Sequence, residues 1–525
     1  MGMHMTTDLL DIAIKQLDFN NGQMFDLSSD IKPLNQDDWL NKSDWLASAR
    51  KAGAESIFFV ANNPVVVFAR STKSAPAKIE AFNKLWCLSR PRLLFLESEG
   101  ELSVIDLAQA PIRHRGNDIG ENLKTLETLT AIKDVSQRLQ IFHRDNIESG
   151  KVFEHDRFGS LKYRADQALI SDLKTVRKRL MDEDLCSSSA HALIGRSIFI
   201  RYLEDRSILT GDYFLKVAGS NSKWRSLLSS PCSRENLDFS GIHAMYPRVL
   251  QDKSFTFALY RSLAADFNGD MFPNIEKEEQ QVESRHLELI QSFIYGDVEA
   301  QEKLFFFSYK FDIIPLDLIS AIYEEFYHAS TKKEDKKNKA RQDGAYYTPP
   351  ALAEFVLSRV LTVDVLKQNP RVMDPACGSG IFLVEAFRRM VRFHISQKGF
   401  PPSFAHLKEL LGRHIVGIEV NEEAARIAAF SLYLAMLHYL DPPSILEYIK
   451  KGNRLPNLIA SKEESPNHYN SIHVANAFSL DNDVIGNVDV VVGNPPWGAP
   501  GKNADKTQKH ASALCWIGVK RRNTL

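Results

Sequence analysis

The residues Asn494-Pro495-Pro496-Trp497, at the end of the apolar run Asp489-Val-Val-Val-Gly-Asn494, combine groups suited to one task. The Asn494 amide oxygen and the Pro495 carbonyl can each accept one N–H of an aryl amine. Two such bonds draw electron density toward the nitrogen and favour a pyramidal geometry with a lone pair available for attack. Trp497 offers a ring face for a planar base, a stacking contact worth ~1–3 kcal/mol in nucleic-acid sites. The chemistry needs positioning more than a base: amine and electrophilic carbon held at a near-attack distance of roughly 3–3.5 Å. A base inside a duplex cannot reach such a pocket and would have to be flipped out. The plain alternative is a turn after a strand.

Upstream, Arg371-Val-Met-Asp374-Pro375-Ala376-Cys377-Gly378-Ser379-Gly380 reads as a short strand ending in a glycine-rich turn, followed by a helix bearing Ile381, Phe382, Val384, Phe387 and Met390. Glycines there let the backbone approach a ligand in the crevice beyond the carboxyl ends of parallel strands. A second strand, His414-Ile-Val-Gly-Ile-Glu419, ends in a carboxylate suited to two ribose hydroxyls. Asn421 can cap the helix after it, with Glu422 and Glu423 at the positive end of its dipole. The interval from Asp374 to Glu419 is far longer than the roughly 20 residues of a dinucleotide-binding fold. It implies an insertion near Gly399-Phe-Pro-Pro402 and argues against a dehydrogenase.

A third strand, Ser471-Ile-His-Val-Ala-Asn476-Ala477-Phe478, ends in a side chain able to hydrogen-bond adenine. Before the glycine turn, Tyr346-Tyr347-Thr348-Pro349-Pro350 leads into a helix expected to turn Leu352, Phe355, Val356 and Val360 inward. Thr348 is a natural N-cap and Pro349 a natural first helical residue. The free amides at that end could bind a carboxylate such as that of a methionine moiety. An ordinary capped helix is the alternative.

Residues 1–145 are expected to form a small α/β domain. Ile57–Val60 and Val65–Phe68 read as a hairpin, Leu93–Leu96 and Leu102–Leu107 as a second pair, with a helix around Lys78–Trp86 between the pairs. A nuclease would need clustered carboxylates and a lysine on neighbouring strands; no such pattern stands out. The domain reads as structural or DNA-contacting. Residues 146–335 are helical, with Leu169, Leu173, Val176 and Leu180 at helical spacing and Arg201, Asp205 and Arg206 expected in ion pairs. Lys332–Arg341 is a charged connection to a third domain, 336–525. The fold class expected is therefore α/β.

With 65 basic and 66 acidic side chains, the net charge of −1 argues against wholesale coating of nucleic acid but leaves room for a local basic groove. The five cysteines show no CxxC spacing, so neither a zinc site nor a disulfide framework is expected, and the residues read as reduced thiols. No apolar run approaches a membrane span, and Met1-Gly-Met-His-Met-Thr-Thr-Asp8 lacks the layout of a secretion signal. A cytoplasmic location is expected.

Together, Thr348, Asp374-Pro-Ala-Cys-Gly-Ser-Gly380, Glu419 and Asn494-Pro-Pro-Trp497, in this order, resemble the gamma-class amino-methyltransferases that methylate adenine N6 in DNA. The upstream stretches Gly195–Arg206 and Phe267–Phe272 resemble the fused type IIG or Eco57I-like restriction–modification methylases. The resemblance implies S-adenosyl-L-methionine as cofactor, held by Tyr347, Thr348, Asp374, Ala376, Gly378, Gly380, Glu419, Asn476 and Ala477. It implies a Rossmann-like sheet, double-stranded DNA with a flipped adenine as partner, and no metal. Asn476 stands where the family usually has an aspartate.

That fold normally adds three more strands after the catalytic one and then a target-recognition domain. Gly498–Leu525 is too short for three strands, since each parallel crossover needs a dozen or more residues. A four-stranded, incomplete sheet is therefore expected, from a truncated or frame-shifted form of a longer enzyme, with a separate chain as the source of the missing parts. A remnant that binds cofactor or DNA without catalysis is the competing reading. So is an amino-methyltransferase acting on RNA or protein glutamine.

Overall fold

A computed structural model describes residues 8–27, 35–72, 74–112, 123–229, 245–267, 275–295, 309–315, 318, 348–460, 468–480 and 486–494. The chain divides into two compact units: residues 1–261 with 274–315, and residues 262–273 with 316–525.

The first unit contains a six-stranded sheet in sequential order: β1 (Gln23–Asp26), β2 (Ser56–Val60), β3 (Asn63–Arg70), β4 (Leu93–Ser98), β5 (Glu101–Asp106) and β6 (Glu127–Leu129). The hairpin expected around Asn62 joins β2 to β3, with Val60 opposite Asn63. β3 and β4 run parallel, so their connection must cross over, and the helix Ala75–Trp86 makes that crossover. One face is packed by Phe19, whose ring meets Phe58 and Phe68 edge-on at 5.1 and 5.0 Å between centroids.

Near the carboxyl ends of β3 and β4, Arg70 and Glu97 are paired in register. Arg70 also pairs with Glu55, with Asp11 at 3.0 Å and with Asp8 at 3.5 Å. Four carboxylates thus converge there on an arginine, in an arrangement the sequence did not disclose. No group of histidine, cysteine or acidic side chains among the described residues is placed to hold a metal ion. In the helices that follow, Arg201 bonds Glu204 at 2.9 Å and Asp205 at 2.7 Å, the ion pairing expected of it.

The second unit is built on a five-stranded parallel sheet of order β11-β7-β8-β10-β9, from β7 (Val372–Asp374), β8 (Ile415–Glu419), β9 (Asn457–Ile459), β10 (His468–Val474) and β11 (Val490–Val491). The expected four strands are all present. β9 is a fifth, too short at three residues to carry a readable alternation. The long interval between Asp374 and Glu419 holds two helices, Ile381–Lys398 and Phe404–His414.

Strands buried on both faces read as continuous apolar runs, and Ile415, Val416 and Ile418 are all buried. Gly417 interrupts the run for a steric reason: a Cβ there would lie 2.6 Å from Leu383 Cδ1 and 3.0 Å from Cys377 Sγ. Leu383, Ala386 and Phe387 of the first covering helix are fully buried, as are Ala425, Ala428 and Leu432 of the helix Glu422–His438. Each large side chain so buried contributes about 1.5–3 kcal/mol. Segment 262–273 belongs to this unit, and the Phe267 carbonyl accepts the Leu455 N–H at 2.8 Å, just before β9.

The helix Pro350–Val360 departs from expectation. Its buried residues are Ala353 and Leu357, whereas Leu352 and Phe355 are exposed. The buried stripe runs at i, i+4 through Ala353, Leu357 and Leu361, one position away from the register expected.

Candidate active site

Because the strands are parallel, their carboxyl ends share one edge, and Asp374, Glu419 and Asn494 lie along it. Asp374 closes β7 and is 1% exposed. Its Oδ1 accepts the Ala376 N–H at 3.0 Å. Burial pushes the Asp374 pKa up to about 7; the Ala376 bond opposes this and the nearby Glu419 charge adds to it.

The turn after Asp374 is fixed by the Cys377 N–H on the Ile418 carbonyl at 3.0 Å. Gly378 and Gly380 have φ of +52° and +86°, the left-handed region that a side chain disfavours. Gly380 has a second constraint, since a Cβ would lie 2.9 Å from the Ala428 Cβ. Its absence lets the Ile381–Lys398 helix start directly against the neighbouring helix. Cys377 is buried, and burial raises its thiol pKa, so it suits packing rather than nucleophilic chemistry.

Glu419 closes β8 half-buried. Oε2 accepts the Gly378 N–H and Oε1 the Asn421 N–H, both at 2.9 Å. Asn421 caps the next helix as expected, accepting the Ala424 N–H at 2.8 Å. A carboxylate has about four acceptor positions, so two backbone bonds fix its orientation without exhausting its capacity.

Asn476 is placed differently from the expectation. β10 ends at Val474, and Asn476 Oδ1 accepts the Phe478 N–H at 3.0 Å, capping the short turn Ala477–Ser479. It lies beyond the strand end because its amide completes this local turn. Beside it the structure shows two groups the sequence reading missed: Val420 and Phe478 are 68% and 55% exposed. Apolar residues one and two positions after the polar residues Glu419 and Asn476 were the available signal.

Thr348 also differs. The helix begins at Pro350 with Pro349 as its cap residue, and no side chain caps it. The Thr348 hydroxyl instead accepts the Asn494 Nδ2–H at 3.2 Å, and Thr348 is 5% exposed. Gly493, just before Asn494, abuts the cofactor turn: a Cβ there would lie 2.5 Å from Asp374 Oδ1 and 3.6 Å from Pro375 Cδ. Only glycine permits β11 to bring Asn494 this close to Asp374. Tyr347, Pro495, Pro496 and Trp497 lie outside the described residues, as do Lys332–Arg341.

Comparison with known proteins points to a family. Residues 315–520 match the family described as N-6 DNA Methylase. The chain is 28% identical over 177 residues to "Adenine-specific methyltransferase PglX" of Streptomyces coelicolor, covering 29% of this chain and 14% of that protein. It is 24% identical over 350 residues to "Type II restriction enzyme and methyltransferase RM.Eco57I" of Escherichia coli, covering 57% of this chain and 33% of that one. Over 85 residues it is 35% identical to "Type II methyltransferase M.BstVI" of Geobacillus stearothermophilus, covering 16% of this chain and 15% of the relative. The chain thus spans a third or less of the length of these relatives. No described helix is long and apolar enough to cross a membrane. Over residues 315–520 the chain therefore resembles the N-6 DNA methylase family.

Proposed function

We propose that this chain carries the methyl-transfer site of an adenine-N6 DNA methyltransferase of a restriction–modification or phage-defence system, using S-adenosyl-L-methionine. The observation that carries the reading is the contact of Gly493 with Asp374, which sets Asn494 beside the glycine turn. The sheet order, with β7 between β11 and β8, supports the reading of a Rossmann-like nucleotide fold with its crevice at the strand ends.

The residues present fit the cofactor. Glu419, oriented by two backbone N–H bonds, has acceptor capacity for ribose hydroxyls. Val420 and Phe478 are exposed apolar groups beyond adjacent strands, suited to flank an adenine ring. The open backbone at Gly378, with nothing within 4 Å of a Cβ position, allows close approach. In this reading Asp374, Ala376, Gly380, Asn476 and Ala477 also serve the cofactor, with Thr348 and Tyr347 assigned to its methionine part. The cofactor supplies an activated methyl group for attack by a nucleophilic nitrogen.

Asn494 Oδ1 and the Pro495 carbonyl accept the two N–H groups of the adenine amine and hold its lone pair toward the methyl carbon. Pro496 and Trp497 complete the grip, the indole stacking on the flipped base. Catalysis is then mainly positioning and exclusion of water.

The test is tritiated methyl transfer to unmethylated genomic DNA, with digestion to locate the label. Label in N6-methyladenine is expected. Label in protein or RNA, or cofactor binding with no transfer, would overturn the reading. Asn494→Ala should abolish transfer and leave cofactor affinity within about twofold, because it touches the amine rather than the cofactor.

A further inference from the structure

Asn494 carries a hidden ambiguity. A carboxamide has nearly the same shape after a half-turn about its last bond, which exchanges the acceptor oxygen for the donor NH2. Only one orientation serves an amine acceptor: with Nδ2 forward, two sets of N–H groups would face each other. Something in the protein must select the other orientation.

Thr348 offers the partner: a hydroxyl can accept from Nδ2 or donate to Oδ1, and here it accepts. Its Oγ1 lies 3.2 Å from Asn494 Nδ2, across 146 residues of sequence. The hydroxyl sits on a rigid mount. Thr348 precedes Pro349, which restricts its backbone to extended conformations, and as a β-branched residue it is stiff at χ1. The Pro349 carbonyl in turn accepts the Leu352 and Ala353 N–H groups at 2.9 and 3.2 Å, fastening the segment to the helix that follows. The hydroxyl makes no capping bond to that helix. Thr348 is 5% exposed, so water has little access to compete for Nδ2.

We propose that Thr348 is a positioning residue: by accepting the Asn494 Nδ2–H, it turns Oδ1 toward the target amine. The inference rests on the methyltransferase reading and assigns Thr348 a task separate from cofactor contact. No bond is made or broken through Thr348.

The test uses Thr348→Val, which keeps the shape and removes the acceptor, and Thr348→Ser, which restores it. Three quantities are measured on the full chain: S-adenosylmethionine affinity by calorimetry, the single-turnover methylation rate on unmethylated DNA, and the Asn494 side-chain amide signals by selective 15N-asparagine labelling. Thr348→Val is expected to lower the single-turnover rate at saturating cofactor about tenfold or more, the worth of one buried hydrogen bond, beyond any loss of cofactor affinity. The Asn494 amide signals should shift and exchange faster with solvent, and Thr348→Ser should recover both rate and signals. A fall in rate matched by an equal loss of cofactor affinity would overturn the proposal, placing Thr348 on the cofactor alone. Unchanged amide signals in Thr348→Val would overturn the hydrogen bond itself, whatever the turnover. If the unaltered chain transfers no methyl group, the methyltransferase reading fails, and the orienting role fails with it even where the amide signals respond.

Discussion

The Glu419 carboxylate accepts the Gly378 backbone N–H at 2.9 Å, tying the end of β8 to the glycine turn that follows β7. Its other oxygen accepts the Asn421 N–H at the start of the next helix. One side chain therefore orders the turn and the helix entry together, and presents its remaining acceptor positions to the crevice.

From this, Glu419→Ala should weaken S-adenosylmethionine binding about 100-fold, since hydrogen bonds to a charged group are worth about 1.5–3 kcal/mol each. Glu419→Gln retains one acceptor oxygen and should lose less. Isothermal titration of the two variants checks this. Equal affinity of Glu419→Ala and the unaltered chain would remove Glu419 from the cofactor site.

Asp374 makes the stability of the second unit depend on pH. Its pKa is raised by burial from 3.8 to about 7. Below pH 4 the group is protonated in both folded and unfolded chains and costs nothing. As pH rises from about 4 to about 7 the unfolded chain releases its proton first, so folding stability falls by roughly 4 kcal/mol and then levels off. Asp374→Asn keeps an acceptor for the Ala376 N–H and cannot ionise. It should raise the unfolding temperature at pH 8 and change it little at pH 4.5. A variant without that pH dependence of its gain would show that Asp374 is solvated in the native state.

The two glycines of the turn should fail in different ways. Gly380→Ala meets both a left-handed φ and the Ala428 Cβ at 2.9 Å. The backbone term is about 1–2 kcal/mol and the overpacking term about 1–3 kcal/mol. Gly378→Ala carries only the backbone term, because nothing lies within 4 Å of its Cβ position. Urea unfolding should therefore place the Gly380→Ala midpoint below that of Gly378→Ala. The reverse order would mean that the two helices can move apart at Ala428 without cost.

What was legible in the sequence was local. Asp374, Glu419 and Asn494 stand out because an apolar run stops near each, and Gly378 and Gly380 because two glycines fall in one short turn after a strand. Properties set by distant parts of the chain were not legible. The task of Thr348 depends on Asn494, 146 residues away, and its hydroxyl mimics an N-cap from sequence alone. The buried face of Pro350–Val360 lies one residue from the expected register because packing against the rest of the unit, not local sequence, sets the rotation of a helix. Asn476 was read as a strand terminus, whereas its amide finds a nearer partner in the Phe478 N–H. The carboxylates around Arg70 come from β4, from a residue preceding β2 and from the N-terminal segment, so no sequence window contains them together.

The bond from Leu455 to the Phe267 carbonyl bears on how this protein can be taken apart. A fragment cut to begin at residue 316 would hold all five strands of the second sheet, yet it would lose segment 262–273, including buried Phe267. The Leu455 N–H would lose its acceptor. The second unit is discontinuous along the gene, so recombination at a single junction between residues 274 and 316 could not transplant it whole. Shuffling between relatives would have to carry the preceding helical segment along with the catalytic sheet, as one inheritance.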